Sequence, residues 1–201
     1  MIRSLHDSIP DEFLGYVYQD PVHDIRSGRG LDRRCRGDRD IFFMCEGADP
    51  AAVLCVAYTR GLPDDIEEIL NDDSPVIGRE QATHAIFYSV FRTSVATESR
   101  NLGADLVLEA ARVVREKNPN VTNFVTMSPI PNLRKYFADI PVIESIVQFL
   151  EEMMDPVARF HINNGAKIMR VIADADASDR RQDQSWGFMV NYDYTETLSK
   201  S

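Results

Sequence analysis

No apolar run in the sequence approaches the roughly 20 residues that a membrane-spanning helix needs, so no such helix is expected. Cysteine is scarce. Cys35, Cys45 and Cys55 form no CxxC pair and their number is odd, so neither a disulfide framework nor a zinc site is expected. Cys45 and Cys55 lie in apolar, strand-like runs, where a free thiol behaves as a small hydrophobe. Histidine is sparse and scattered (His6, His23, His84 and His161), with no HExxH-like spacing, so no metal set is expected. Positive charge is in deficit: 22 Lys and Arg against 32 Asp and Glu give a net charge of -10. That argues against nucleic acid or an anionic membrane as the main partner. The opening stretch, MIRSLHDSIPDEF, lacks a signal peptide's apolar core and carries acids early, which points to a cytoplasmic protein.

What is present suits a globular domain. The 201 residues are 44% hydrophobic and 27% charged, enough to bury a core. Six arginines, Arg26, Arg29, Arg33, Arg34, Arg36 and Arg39, crowd into one short stretch of this acidic chain. One reading is a solvated loop offset by Asp32, Asp38 and Asp40. The other is an anion site, where guanidinium forks meet coenzyme A phosphates or an acidic carrier protein.

Periodicity outlines the elements. A short helix is expected over Asp11 to Tyr18, and strands over Ile41 to Cys45 and Ala51 to Tyr58, joined by turn-forming Glu46 to Pro50. Pro63 to Ile66 opens a short helix, and His84 to Phe91 is a third strand. The clearest helix covers Asn101 to Lys117, with Leu102, Leu106, Val107, Ala110, Val113 and Val114 on one face. A fourth strand runs from Val121 to Met127, and a helix from Val142 to Met154. Asp155 as cap, Pro156 at the first helical position and Gly165 at the exit frame another helix. Ala166 to Ile172 and Ser185 to Tyr194 read as closing strands. The class is α+β, a mixed sheet flanked by helices in a single domain.

Four segments could carry chemistry. Ser128, in Thr126-Met127-Ser128-Pro129-Ile130-Pro131, ends a strand at a rigid exit that can present its hydroxyl, although a plain Ser-Pro turn has the same local pattern. His161 sits in the last turn of a helix, where the negative helix end would favour the imidazolium form a proton donor needs; a structural histidine is the plainer alternative. In the closing strand, alternation puts Asn191 on the face opposite Tyr192 and Tyr194, so Asn191 or Tyr194 could line a pocket or simply fill a core strand. Thr93 to Gly103 joins a strand to the long helix, a junction whose free amides can meet a phosphate, though with a single glycine the local signal is weak.

Taken together, these segments resemble the malonyl-CoA decarboxylase family. The resemblance rests on SPIPNLRKYF, on the Asp155 to Ala166 helix end (DPVARFHINNGA) and on the closing strand Gly187 to Tyr194. Val22-His23 followed by the Arg-rich stretch and FF, then TRGLP and IFYSV, agree in order. It covers about Pro21 to Tyr194, so residues 1–20 are expected to be an extension and 21–201 the catalytic domain. The resemblance implies the fold of GNAT-type acyltransferases and an acyl-CoA whose pyrophosphate lies at Glu98, Ser99, Arg100, Asn101, Leu102, Gly103 and Ala104. It implies a catalytic Ser128 and His161 pair, with the closing-strand tyrosine at Tyr194; Asn191 is expected as a substrate-binding residue from the strand pattern alone. The large helical domain that precedes the family's catalytic domain has no counterpart in this sequence, the segment between Phe137 and Asp155 is shorter, and the phosphate loop is poor in glycine.

The activity so implied is loss of CO2 from a malonyl-type thioester of coenzyme A or of an acyl-carrier protein, with no cofactor, because the thioester carbonyl is itself the electron sink. His161 would donate the proton, Ser128 would orient the substrate carboxylate or the histidine, and Tyr194 and Asn191 would shape the pocket. A GNAT-type acyltransferase and a non-catalytic thioester-binding or carrier-docking module are the rivals. Self-association as a homo-oligomer is left open.

Overall fold

The computed structural model describes residues 2–5, 11–20, 22–23, 28–35, 37–96 and 101–199. These divide into two units: the described residues of Met1–Leu62 with Ile69–Phe124, and those of Pro63–Glu68 with Val125–Ser201.

In the first unit, β1 (Ile2–Leu5), β2 (Arg39–Glu46), β3 (Asp49–Thr59) and β4 (His84–Arg92) pair antiparallel in that order. The expected hairpin is therefore β2 and β3, both nearly buried along their length. Before them come α1 (Asp11–Val17) and α2 (Gly28–Cys35). The residues ahead of position 21 thus contribute a strand and a helix to this unit, and the Phe13 ring of α1 packs at a tilt against Phe43, 5.0 Å between centroids. The short helix α3 (Glu67–Leu70) starts later than Pro63. The long helix α4 (Leu102–Lys117) packs on β2, β3 and β4. Its buried face is Leu102, Leu106, Val107, Ala110, Ala111 and Val114, while Val113 sits half-buried at the margin. Each larger apolar side chain removed from water there is worth about 1.5–3 kcal/mol.

The crowded arginines are neither a solvated loop nor a docking surface where the structure describes them. Arg33, Arg34 and Arg39 are 2%, 4% and 2% exposed. Asp38 and Asp40 are buried with them, and only Asp32 faces solvent. Arg26, Arg36 and the side chain of Arg29 lie outside the described residues.

In the second unit, β5 (Asn123–Thr126) and β6 (Ser128–Pro129) pair with β8 (Met189–Asp193), and so does β7 (Lys167–Ile172). Helices α5 (Leu133–Tyr136), α6 (Ile143–Glu151), α7 (Pro156–Asn163), α8 (Asp179–Ser185) and α9 (Thr195–Ser199) complete it. The expected strand from Ser185 begins only at Met189, because Ser185 ends α8 and Trp186 and Gly187 turn through positive φ (51° and 75°). Residues 63–68 belong here because Arg170 donates to the Pro63 carbonyl at 2.6 Å and to Asp64 at 2.7 Å, and Ile66 N–H donates to the Ala175 carbonyl. Among the described residues no helix is long and apolar enough to cross a membrane.

Candidate active site

The expected serine and histidine meet in the second unit. Thr126 and Ser128 are two residues apart on an extended chain, so their side chains share a face. Ser128 Oγ donates to Thr126 Oγ1 at 2.9 Å. That same Thr126 oxygen accepts the Tyr192 N–H at 3.1 Å, pinning the pair to β8.

His161 is delivered by α7. Asp155 Oδ1 caps the helix by accepting the Val157 and Ala158 N–H groups, and Pro156 takes the position where no N–H is needed. Gly165 makes the exit at φ 87°, and a Cβ there would fall 2.9 Å from Thr197. Asp155 also accepts the Asn132 N–H through Oδ2, so one fully buried carboxylate joins the chain after Ser128 to the start of the His161 helix. Asp155→Ala is expected to lower stability by about 2 kcal/mol or more, from the lost cap and the orphaned Asn132 amide. Urea unfolding measures this, and an unchanged midpoint would rule out the tie.

The ring nitrogens of His161 lie 3.1 Å from Ser128 Oγ (Nε2) and 2.9 Å from the Tyr194 hydroxyl (Nδ1). The Tyr192 ring stacks on the imidazole at 4.6 Å between centroids. Because the Ser128 proton points to Thr126, Ser128 Oγ accepts from Nε2–H, and Nδ1 accepts from Tyr194. One neutral imidazole is thereby satisfied at both ends. Burial raises the Tyr194 hydroxyl above its ordinary value, which keeps it a donor.

The expectation that the helix end would favour a charged His161 is overturned. Burial pushes the imidazole down to about 3. A helix terminus offers about 2 kcal/mol at best, whereas this net shift corresponds to roughly 5 kcal/mol at 1.36 kcal/mol per unit. Desolvation therefore decides, and the resting ring is neutral.

Asn191 is fully buried, with both ends of its amide engaged: Nδ2 donates to the Thr126 carbonyl at 2.7 Å and Oδ1 accepts from Arg170 Nε at 2.7 Å. A bulge in β7 puts Arg170 opposite Asn191. Glu98, Ser99 and Arg100 lie outside the described residues, and Leu102, Gly103 and Ala104 form the buried first turn of α4 in the first unit, just after Asn101. Thr126, Tyr192 and Arg170 escaped the sequence reading. The first two are signalled by strand spacing, two residues before Ser128 and Tyr194; Arg170 has no local signal. Among the described residues no cluster of His, Cys, Asp and Glu could hold a metal ion.

Comparison with known proteins follows the same lines. The family model for the malonyl-CoA decarboxylase C-terminal domain matches residues 12–152 and 143–199. The mitochondrial malonyl-CoA decarboxylase of Mus musculus is 24% identical over 92% of this chain and 51% of its own length. The chain thus spans about half the length of the curated relatives it matches. A malonyl-CoA decarboxylase crystal structure from Agrobacterium vitis superposes with TM-score 0.86 at 25% identity, covering 100% of this chain and 62% of that one. The GNAT-like decarboxylase GphF, in complex with isobutyryl-CoA, gives TM-score 0.66 at 17% identity, covering 96% of this chain and 97% of that one, a likeness of fold. The expected α+β, GNAT-like class with a mixed sheet is borne out.

Proposed function

Because the chain belongs to the malonyl-CoA decarboxylase family, we propose that it removes CO2 from a malonyl-type acyl thioester, with Ser128 and His161 as the reacting pair and Tyr194 as the partner of the histidine. The observation that carries this reading is the continuous hydrogen-bonded chain Tyr194, His161, Ser128, Thr126. The handle is coenzyme A, for which the names of the relatives speak.

The reaction consumes one proton: RS–CO–CH2–CO2⁻ with H⁺ gives RS–CO–CH3 and CO2. The electrons of the breaking C–C bond pass into the thioester carbonyl as an enolate, and the methylene carbon then takes the proton. Ser128 turns its hydroxyl proton from Thr126 to the substrate and so holds the carboxylate end. A carboxylate bound there adds the negative charge that a neutral, desolvated imidazole lacks, so substrate draws a second proton onto His161. Nε2 delivers its proton to carbon as CO2 departs. The remaining proton stays on Nδ1, where the Tyr194 oxygen turns to accept it. Asn191 and Arg170 hold the Thr126 backbone in place, behind the reacting groups.

The test is CO2 release and product mass from malonyl-CoA. Histidine-dependent formation of acetyl-CoA is expected. A folded wild-type protein that forms neither acetyl-CoA from malonyl-CoA nor acetyl carrier protein from malonyl carrier protein, and instead moves an acyl group to an amine, would sink the reading in favour of an acyltransferase.

A further inference from the structure

Among the described residues the first unit buries three guanidiniums and three carboxylates, and one of those carboxylates is committed to the partly exposed Arg79. Arg33 and Arg34 of α2 and Arg39 at the start of β2 are all withdrawn from solvent. Among the described residues, two buried carboxylates pair with them. Asp38 Oδ1 is shared by Arg33 Nη1 at 2.7 Å and Arg39 Nη1 at 3.1 Å. Asp20 Oδ2 lies 3.5 Å from Arg34 Nη2 and accepts the Ser89 hydroxyl at 2.6 Å. The third, Asp40, is taken by Arg79 and by the Tyr58 hydroxyl. Among the described residues, three guanidiniums against two carboxylates leave one positive charge over. Cys55 does not supply the missing charge, because burial pushes its thiol up to about 12.

The hydrogen bonds show the same excess. Arg39 donates to the Asp38 and Ile69 carbonyls and Arg34 to the His23 carbonyl. Yet the Nε groups of Arg33, Arg34 and Arg39 and Arg33 Nη2 are buried without a hydrogen-bond partner among the described residues, and the Tyr88 hydroxyl has only the weak Cys55 thiol beside it. Tyr88 gathers them. Cys55 pairs with Ser89 and Val56 with Phe87, so Tyr88 is the extra residue of a bulge in β4. Its electrostatic neighbours are Cys55, Arg34, Arg39 and Asp20. A buried, uncompensated charge with idle donors is costly, and an anion that neutralises it relieves that cost.

We propose that this cluster is a binding site for one small, singly charged carboxylate, held by the idle N–H groups of Arg33, Arg34 and Arg39 and by the Tyr88 hydroxyl. Guanidinium forks match carboxylate geometry. The carboxylate is that of a free small acid, since the substrate's own carboxylate is assigned to Ser128. The site stands on the first unit alone and does not depend on the decarboxylase reading.

Thermal unfolding of the full chain in sodium formate, against sodium chloride at equal ionic strength, tests it. The wild-type midpoint is expected to rise saturably with formate, by about 5 °C or more at a hundredfold excess over the dissociation constant, and not with chloride. Arg33 has one protein partner, Asp38, which Arg39 also neutralises. Arg33→Met is therefore expected to melt at or above the wild-type midpoint without formate and to lose the formate response. Tyr88→Phe removes one donor and keeps the charge, so its formate affinity should fall severalfold; it covers the case in which Arg33→Met does not fold. Formate that binds without competing with malonyl-CoA supports the site, whereas formate that acts only in competition with malonyl-CoA places the shift at the thioester site and overturns it. No formate shift in the wild type, or an equal shift in wild type and both variants, overturns it.

Discussion

Replacing His161 with glutamine is expected to lower kcat for malonyl-CoA decarboxylation by about 10²- to 10⁴-fold, the usual worth of a positioned acid or base. The imidazole is the group in the chain that bridges Ser128 Oγ and the Tyr194 hydroxyl, with 3.1 and 2.9 Å contacts on opposite nitrogens. An amide is too short to span both and cannot carry a proton to carbon. KM should change little, because the loss falls on a step made in the transition state rather than on binding. Thr126→Val keeps the strand's shape but removes the oxygen that accepts from both Ser128 and the Tyr192 amide. Its effect should be smaller, about tenfold in kcat, since Thr126 acts through Ser128. Steady-state kinetics of purified, folded variants decide the matter. A His161→Gln enzyme with wild-type kcat would remove the histidine from the mechanism.

Acidifying the protein from about pH 6.5 to about pH 4 is expected to destabilise it, with His161 alone contributing a slope that approaches 1.4 kcal/mol per pH unit. The folded imidazole is depressed to about 3 by burial, while in the unfolded chain it titrates near its ordinary value of 6.5. Between those values the unfolded state holds the proton and the folded state does not. Stability is therefore complete above about pH 6.5 and is lost as pH falls toward 3. Asp155 works in the opposite sense near pH 4, because burial raises its carboxyl and protonation eases its enclosure. A comparison with His161→Gln cancels that term, since both proteins keep Asp155. Urea unfolding from pH 4 to pH 8 should give the wild type the steeper dependence. Parallel profiles would mean that the buried ring takes up a proton within the fold.

Both predictions depend on burial, which local sequence does not reveal. The helix grammar of Asp155, Pro156 and Gly165 was legible because caps and turns are set by adjacent residues, and α7 runs from Pro156 to Asn163 as that grammar requires. The same local view assigned His161 a charge from the helix end, when the Tyr192 ring stacked on it and its 3% exposure keep it neutral. Ser185 to Phe188 carried strand-like residues, but the turn through Trp186 and Gly187 delayed β8 to Met189. Asn191 was read only as a residue that could line a pocket; the fold also makes it the link between Arg170 and the Thr126 carbonyl, a pairing created by a bulge in β7.

By itself, the sequence determined the α+β class, the hairpin of β2 and β3, the buried face of α4 apart from one position, and the motifs that hold Ser128, His161 and Tyr194. These follow from periodicity, caps and turn residues, whose causes act within a few positions of the chain. Only the tertiary structure decided that Arg33, Arg34 and Arg39 lie buried, that Thr126 and Tyr192 complete the Ser128 and His161 pair, and that the imidazole rests uncharged. Those outcomes depend on which distant groups displace water from one another, and desolvation is a property of the packed whole.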